Sequence, residues 1–445
     1  MTASPARSQA LSRRELLIFA TSGSAVVGAA PVLRAGTFRC DVTPSPGEPL
    51  IWTMPLKTVL DPLWAKGVVL EQGRRRLVLC AMDWCGLAGA AFRQLQQALA
   101  SGAGAKPSDV ILHTVHQHAA PYVDGDAYRL LRSLPDPPLM YSQRGLDELA
   151  RRLAAAVRDA IARSEPVDAV GLAQVRVERV ASSRRVWDRG KLVVRYSTGG
   201  KDPYQASLPE GHIDPWLRTI TLASRGRPLI RLHFYATHPQ TFCCDGRASA
   251  DFVGEAREKL EREEGVFQIY FTGAAGNVTV GKYNDGSEAA RRGLAERLLA
   301  AMKAAASQTR LEPLRTLDWR TLPVPLPRRM PEKEIEPTAS GETRYRLACW
   351  HATARRKEPF DVTAVTLGPA WILHLPGEPL LEFQEYAQGL DPQRFIAVAG
   401  YGDIAPGYIC PDQAFDEGGY EPSASWVGRG AEAVLKQAIR QALGI

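Results

Sequence analysis

Three of the chain's eight histidines, His113, His116 and His118, lie within six residues of one another. They follow an apolar run, residues 110–112, which predicts a buried strand that ends in this loop. Imidazole nitrogens bind zinc and similar metal ions, and they also accept and donate protons near neutral pH. Since strand ends commonly present side chains to an active site, the loop predicts a metal centre or an acid–base centre.

Three further segments place a polar side chain where an apolar run ends. His238 follows the predicted strand 228–236, Glu378 follows the apolar segment 360–375, and Tyr408 lies in the loop after 395–399. Two histidines and a carboxylate, with one position left for water, describe a catalytic zinc site. Each residue alone has an ordinary structural interpretation, but their joint occurrence at strand ends indicates a common centre.

The order of these motifs resembles that of neutral/alkaline (non-lysosomal) ceramidases, which are zinc amidases that hydrolyse the N-acyl bond of ceramide. The family's His-Thr-His-Ser-Gly-Pro loop is similar to residues 116–121, His-Gln-His-Ala-Ala-Pro. Its Leu-Pro-Gly-Glu segment is matched by residues 375–378. Its two tyrosines, twelve residues apart and with a glutamate after the second, are similar to Tyr408 and Tyr420-Glu421. The resemblance extends from about residue 37 to the C-terminus.

The resemblance implies a role for each matched residue. The zinc ligands that it implies are His116, His238, Glu378 and Tyr408. His118 would be the general acid or base that transfers a proton to the leaving amine. Tyr420 would donate a hydrogen bond to the developing oxyanion. Arg184 would contact the substrate, in a Ser183-Arg184 pair where the family has Asn-Arg.

The chain differs from the family pattern at the nucleophile. The family's Gly-Asp-Val-Ser-Pro-Asn loop corresponds to residues 276–281, Gly-Asn-Val-Thr-Val-Gly, so Thr279 replaces the serine. Thr279 is therefore the candidate nucleophile, and attack by zinc-bound hydroxide is the alternative. A third interpretation is a structural glycine turn.

The resemblance reaches Ile445, and we expect the protein to have no counterpart of the C-terminal β-sandwich of full ceramidases. This difference favours an N-acyl substrate other than ceramide, either a small molecule or a lipid-like one. The expected protein is a zinc-dependent hydrolase of linear amides with a role in lipid metabolism. The alternative is a catalytically impaired relative that binds a metal or a ligand. A metal-dependent phosphoesterase is disfavoured because it would need several more aspartate ligands.

Composition limits the classes of partner. With 45% hydrophobic and 23% charged residues, the chain is typical of a soluble globular protein. The net charge of +7 is spread over scattered arginine pairs, and no nucleic-acid-binding motif occurs, so we expect no nucleic-acid partner. The positive charge is compatible with peripheral contact to a membrane surface. The seven cysteines have no Cys-x-x-Cys spacing, and we expect most of them to be buried.

The N-terminus predicts export. Arg13-Arg14 precedes a weakly apolar stretch, residues 18–32, that is rich in Ala, Gly and Ser. This pattern resembles a twin-arginine signal and is too short and glycine-rich for a membrane span. We expect residues 1–35 to be the signal and residues 36–445 to be the ceramidase-like catalytic domain, located outside the cytoplasm.

Hydrophobic periodicity predicts an α/β fold. Helices are expected over residues 88–103, 143–164, 252–264, 287–306, 342–356 and 380–389. Strands alternate with them, beginning at residue 37, and the segment 119–141 predicts a long functional loop. Asp251 is expected to cap the third helix or to lie behind a metal ligand. This alternation predicts one large domain with a mixed β-sheet core flanked by helices and an active site at strand-end loops.

Overall fold

The computed structural model describes Met1 and residues 32–445. Three mixed β-sheets form its core, and the candidate residues lie in loops that follow strands of these sheets. The strands of the described part are β1 (Leu33–Asp41), β2 (Thr58–Val59), β3 (Trp64–Gln72), β4 (Arg75–Met82), β5 (Gly86–Ala88), β6 (Val110–Thr114), β7 (Tyr122–Asp124), β8 (Glu165–Pro166), β9 (Ala169–Arg176), β10 (Ser182–Ser183), β11 (Arg185–Asp188), β12 (Lys191–Val194), β13 (Trp216–Ser224), β14 (Arg227–Tyr235), β15 (Arg247–Ala248), β16 (Phe267–Thr272), β17 (Val278–Thr279), β18 (Arg310–Pro313), β19 (Leu317–Val324), β20 (Phe360–Leu367), β21 (Ala370–His374), β22 (Glu378–Pro379), β23 (Phe395–Ala399) and β24 (Tyr408–Ile409). The helices are α1 (Gly89–Ala103), α2 (Gly125–Leu131), α3 (Gln143–Ala162), α4 (Pro203–Ser207), α5 (Asp251–Glu264), α6 (Glu288–Gln308), α7 (Gly341–Arg355), α8 (Leu381–Leu390), α9 (Asp412–Glu417), α10 (Tyr420–Ser423) and α11 (Ala431–Leu443).

The strand orders of the three sheets are β6-β4-β3-β1-β8, β16-β14-β13-β9-β18 and β19-β20-β21-β23. Each sheet is mainly antiparallel and has one parallel pair, which is β4–β6, β14–β16 or β21–β23. The loops with His116, His238 and Glu378 leave the carboxyl ends of strands in these three pairs. Ligands of α/β proteins commonly bind outside the carboxyl ends of parallel strands.

His113 joins the three sheets where these strand ends meet. It lies in β6, its Nδ1 is 2.7 Å from the carbonyl oxygen of Gly400 after β23, and its Nε2 accepts a 3.0 Å hydrogen bond from the Thr272 amide in β16. Burial holds the pKa of His113 well below its ordinary value. The residue is therefore a neutral structural histidine and not part of the candidate site.

The predicted α/β class is confirmed. The predicted helices correspond to α1, α3, α5, α6, α7 and α8. The core holds three mixed sheets, whereas the sequence predicted one, because periodicity identifies strands but not the sheet to which each belongs. In addition, the segment 119–141, predicted as a loop, contains β7 and α2. The Asp124 carboxylate caps this short helix by accepting hydrogen bonds from two backbone amides.

The described part of the chain includes the end of the predicted export signal and all seven cysteines. Strand β1 begins at Leu33, within the end of the predicted export signal, and the signal's residues 2–31 lie outside the described part. None of the described helices is long and apolar enough to cross a membrane. The sulfur atoms of the adjacent residues Cys243 and Cys244 lie in contact, and the other five cysteines are buried, as predicted for most of them.

Candidate active site

The histidine loop is fixed by a buried ion pair. Gln117 donates a 3.0 Å hydrogen bond to the Asp83 carboxylate, which also forms two 2.8 Å hydrogen bonds with the Arg257 guanidinium on α5. His116 has a left-handed backbone with φ of 75°, which non-glycine residues rarely adopt. Its Nδ1 donates to the Cys85 carbonyl oxygen at 2.6 Å. The other ring nitrogen, Nε2, is therefore the one with a free lone pair.

His238 is oriented in the same way by backbone carbonyl groups. Its Nδ1 lies 2.7 Å from the Ala275 oxygen and 3.1 Å from the Val278 oxygen, so this nitrogen carries the hydrogen. Burial lowers the pKa of His238 to about 4. The ring is therefore neutral, as a metal-ligating histidine must be, and Nε2 is free to bind.

Glu378 reaches both rings from a turn that requires glycine. Gly377 has a φ of 66°, and a Cβ atom there would lie 2.8 Å from the Gly407 oxygen. This turn directs Oε2 of Glu378 to within 3.2 Å of Nε2 in both His116 and His238.

These three donors fit a metal ion. One ligand atom each from His116, His238 and Glu378 lies within 4.8 Å of the others. Two imidazole nitrogens whose Nδ1–H groups are bound to carbonyl oxygens, together with one carboxylate, form a donor set typical of catalytic zinc. A second group, Cys85 with His116 and His118, meets the same limit. It fits less well, because burial raises the pKa of the Cys85 thiol well above its ordinary value and zinc binds the thiolate.

The tyrosines lie beside this centre. Arg184 Nη1 donates a 3.0 Å hydrogen bond to the Tyr408 hydroxyl, and the Arg184 guanidinium lies 5.0 Å from the Tyr420 ring centroid. The ring of Tyr408 lies 6.4 Å from that of His238. Arg184 is itself buried and pairs with Glu421 at 3.6 Å. Arg184 therefore contacts both tyrosines without lining the cavity that they line.

A small cavity of about 100 Å³ opens onto the centre. Five of the eight residues singled out from the sequence line it, namely His116, His118, Glu378, Tyr408 and Tyr420. His238 lies fully buried behind Glu378. The walls are aromatic and include Trp52, Tyr122 and Trp426. The cavity therefore brings the polar candidate residues together with aromatic side chains.

His118 faces the cavity beside the candidate ligands. Its Nε2 lies 3.3 Å from Nε2 of His116, and its Nδ1 lies 4.0 Å from the Cys243 sulfur. Burial, followed by the influence of His116, lowers the pKa of His118 well below its ordinary value. A neutral imidazole at this position can accept a proton from a molecule in the cavity.

Among the described residues, three of the eight candidates do not line the cavity, namely His238, Thr279 and Arg184. Thr279 is fully buried in β17, and its hydroxyl accepts a 3.1 Å hydrogen bond from the Gly281 amide. Asp251 does not belong to either candidate metal-binding group of the described residues. Its carboxylate binds the hydroxyl and amide of Thr241 and the Phe252 amide, which ties a loop to the start of α5.

Sequence reasoning missed several residues that shape the site. Tyr401 stacks on His116 with ring centroids 4.4 Å apart, and its hydroxyl lies 3.3 Å from Nδ1 of His238. Its position in the loop after β23 was the available signal, since that loop stood out in the sequence. Arg346 and Trp52 line the cavity from a helix and a short turn, and no motif marks either of them.

The comparisons with known proteins give a fold relationship. No protein-family model and no curated protein sequence matches this chain. Among solved structures, neutral ceramidase from Pseudomonas aeruginosa is similar with a TM-score of 0.70 and 16% identity, covering 94% of this chain and 75% of that one. A ceramidase complexed with C2 is similar with a TM-score of 0.73 and 16% identity, covering 93% and 76%. The chain therefore shares the α/β fold of neutral ceramidases over nearly its whole length.

Proposed function

We propose that the protein is a zinc-dependent hydrolase of N-acyl amides. The observation that carries this proposal is that donor atoms of His116, His238 and Glu378 lie close together beside a cavity. His118 and Tyr420 line the same cavity. The ceramidase-like fold supports amide hydrolysis as the reaction. The substrate that we propose is a small or lipid-like N-acyl amide and not ceramide in particular.

The chain's own residues would divide the work. His116, His238 and Glu378 would hold the zinc ion with Tyr408 as a fourth ligand, and the bound ion would supply Lewis-acid polarisation of the amide carbonyl. His118 would take a proton from the attacking group and deliver it to the leaving amine. Tyr420 would donate a hydrogen bond to the oxyanion, because burial raises the pKa of its phenol and so favours the protonated form.

We favour water over Thr279 as the attacking group. The Thr279 hydroxyl is fully buried and accepts the Gly281 amide, whereas His118 lines the cavity where water can enter. The buried position of the Thr279 hydroxyl also favours a second candidate function, that of a relative without catalytic activity. If the family's serine is required for chemistry, its replacement would leave a relative that binds a metal or ligand without turnover.

Metal analysis and turnover on the same samples separate these functions. The purified protein is assayed for zinc and for release of amine or alcohol from short N-acyl amides and esters. We expect about one zinc per chain, amide turnover, and loss of both in His116→Ala. His212→Ala is the matched control, because His212 is exposed and pairs with Glu385. Zinc without turnover of any amide or ester would support the impaired relative and contradict the hydrolase.

We also propose export through residues 1–35. The support is the Arg13-Arg14 pair before a weakly apolar stretch. Fusing these residues to a reporter protein tests it in bacteria with and without a twin-arginine export system. We expect export that disappears when both arginines are replaced by lysine. Retention of the unaltered fusion in the cytoplasm would contradict the proposal.

A further inference from the structure

The cavity has one carboxylate and one guanidinium among its described lining residues, and the carboxylate belongs to the candidate metal centre. Apart from histidines, the described residues that line it include two charged side chains, Glu378 and Arg346. Glu378 is already in contact with His116 and His238, at 3.2 Å from each ring. The charge of Arg346 is therefore not met by a carboxylate inside the cavity.

Arg346 is held at the cavity by aromatic contacts. It lies on α7, and the carbon of its guanidinium is 5.1 Å from the Trp52 ring centroid. Although burial lowers the pKa of Arg346, its contacts with Tyr420 and Glu342 raise it above the ordinary value. Glu342, one turn earlier on the same helix, lies 3.4 Å from Nη1, but half of its side chain is exposed. Exposed pairs within one helix are weak, so Arg346 can exchange Glu342 for an anion in the cavity.

A second positive charge, that of Arg184, lies just behind the tyrosines, but it is paired with the buried Glu421. The divalent ion of the proposed function would add two positive charges against the single carboxylate of Glu378. With Arg346 the cavity would then have a net positive charge, and clefts of one sign concentrate ligands of the other. A guanidinium also matches the planar geometry of a carboxylate and can bind both of its oxygens.

We propose that Arg346 makes this protein selective for N-acyl amides that carry a carboxylate or a similar anionic group. The inference rests on the proposed hydrolase function. Hydrolysis adds water across the amide, so that the C–N bond breaks, a C–O bond forms and the amine nitrogen gains a proton. Arg346 binds this anionic group inside the cavity, while the aromatic walls take up apolar parts of the substrate.

Matched substrates test the selectivity. N-octanoylglycine is anionic, N-octanoylethanolamine is neutral, and the mono-octanoyl amide of ethylenediamine is cationic. We expect kcat/KM for the anionic amide to exceed that for the neutral one by about tenfold or more, the range of a hydrogen-bonded charge pair. Arg346→Met should remove this preference by lowering kcat/KM for the anionic amide much more than for the neutral one, and Arg346→Glu should shift the preference to the cationic amide. Arg355→Met, an exposed arginine of the same helix outside this cavity, is the control.

Calorimetric binding of N-octanoylglycine separates failure of this inference from failure of the proposed function. Tighter binding to the unaltered protein than to Arg346→Met, without turnover of any amide, would keep the anion site and contradict the hydrolase. Turnover of anionic and neutral amides with equal kcat/KM, or equal losses for both in Arg346→Met, would overturn the inference. Equal binding of N-octanoylglycine to both proteins would also overturn it.

Discussion

Nε2 of His238 lies 3.2 Å from Oε2 of Glu378, although 140 residues separate the two in the chain. His238 comes from the loop after β14 of the second sheet, and Glu378 comes from the turn after β21 of the third. His116, which contacts the same oxygen, follows β6 of the first sheet. Each sheet thus contributes one donor, so the site exists only when all three sheets are assembled.

Metal binding should therefore stabilise the whole fold. Zinc that binds the assembled donors of His116, His238 and Glu378, but not the unfolded chain, would raise the free energy of unfolding by about 4 kcal/mol at a thousandfold excess over Kd. We expect a chelator to lower Tm and added zinc to restore it. His116→Ala should show neither response. A chelator-insensitive Tm in a zinc-loaded protein would contradict the linkage.

Tyr401 should position the histidine ligands. Its ring stacks on His116 and its hydroxyl approaches His238, so a change here alters ligand orientation without removing a donor. We expect Tyr401→Leu to weaken zinc binding by about 10- to 100-fold, the usual effect of losing a group that orients a ligand. Tyr401→Phe keeps the stacked ring and should weaken it much less. Competition with a chromogenic chelator measures both values, and equal affinities in all three proteins would contradict this role.

Thr279 tests the identity of the attacking group. If water attacks, Thr279→Ala should retain turnover within about tenfold, whereas loss of a catalytic nucleophile typically costs several orders of magnitude. Thr279→Ser keeps a hydroxyl that can accept the Gly281 amide, and it serves as the control. A covalent acyl adduct on Thr279, detected by mass spectrometry after rapid quenching, would contradict attack by water.

Asp124 should make stability depend on pH. Burial raises its pKa from 3.8 to about 7 in the folded protein. Between these values the unfolded chain loses a proton that the folded protein keeps, so the stability contribution falls as pH rises, by up to about 1.4 kcal/mol per pH unit. Asp124→Asn can still cap α2 but does not ionise. Urea unfolding at pH 5.5 and pH 8 should show a larger loss for the unaltered protein, and equal losses would contradict the shift.

The sequence was sufficient to find the residues at strand ends. His116, His238 and Glu378 each follow a strand with a clear apolar pattern, and the Pro-Gly pair before Glu378 marks a turn that the structure shows to need glycine at position 377. The same patterns identified six helices within a few residues of their observed ends. Local periodicity and turn chemistry determine these features, so they can be read without tertiary information.

Other features of the site depend on which helices, strands and loops pack together. Local sequence patterns do not predict this packing. Arg346 reaches the cavity because α7 packs beside the turn that contains Trp52, and both contribute to its wall. Tyr401 stacks on His116 through a left-handed backbone, with φ of 54°, that its residue type does not predict. Thr279 matched the family motif by position, yet its hydroxyl is bound to a neighbouring amide.

The most direct test of the metal centre is anomalous diffraction at the zinc edge from crystals of the full chain. We predict one strong peak within bonding distance of Nε2 of His116, Nε2 of His238 and the carboxylate of Glu378. The peak should be absent from crystals of Glu378→Ala grown and soaked in the same way. A peak bound to other side chains, or a peak that persists at this position in Glu378→Ala, would contradict the account.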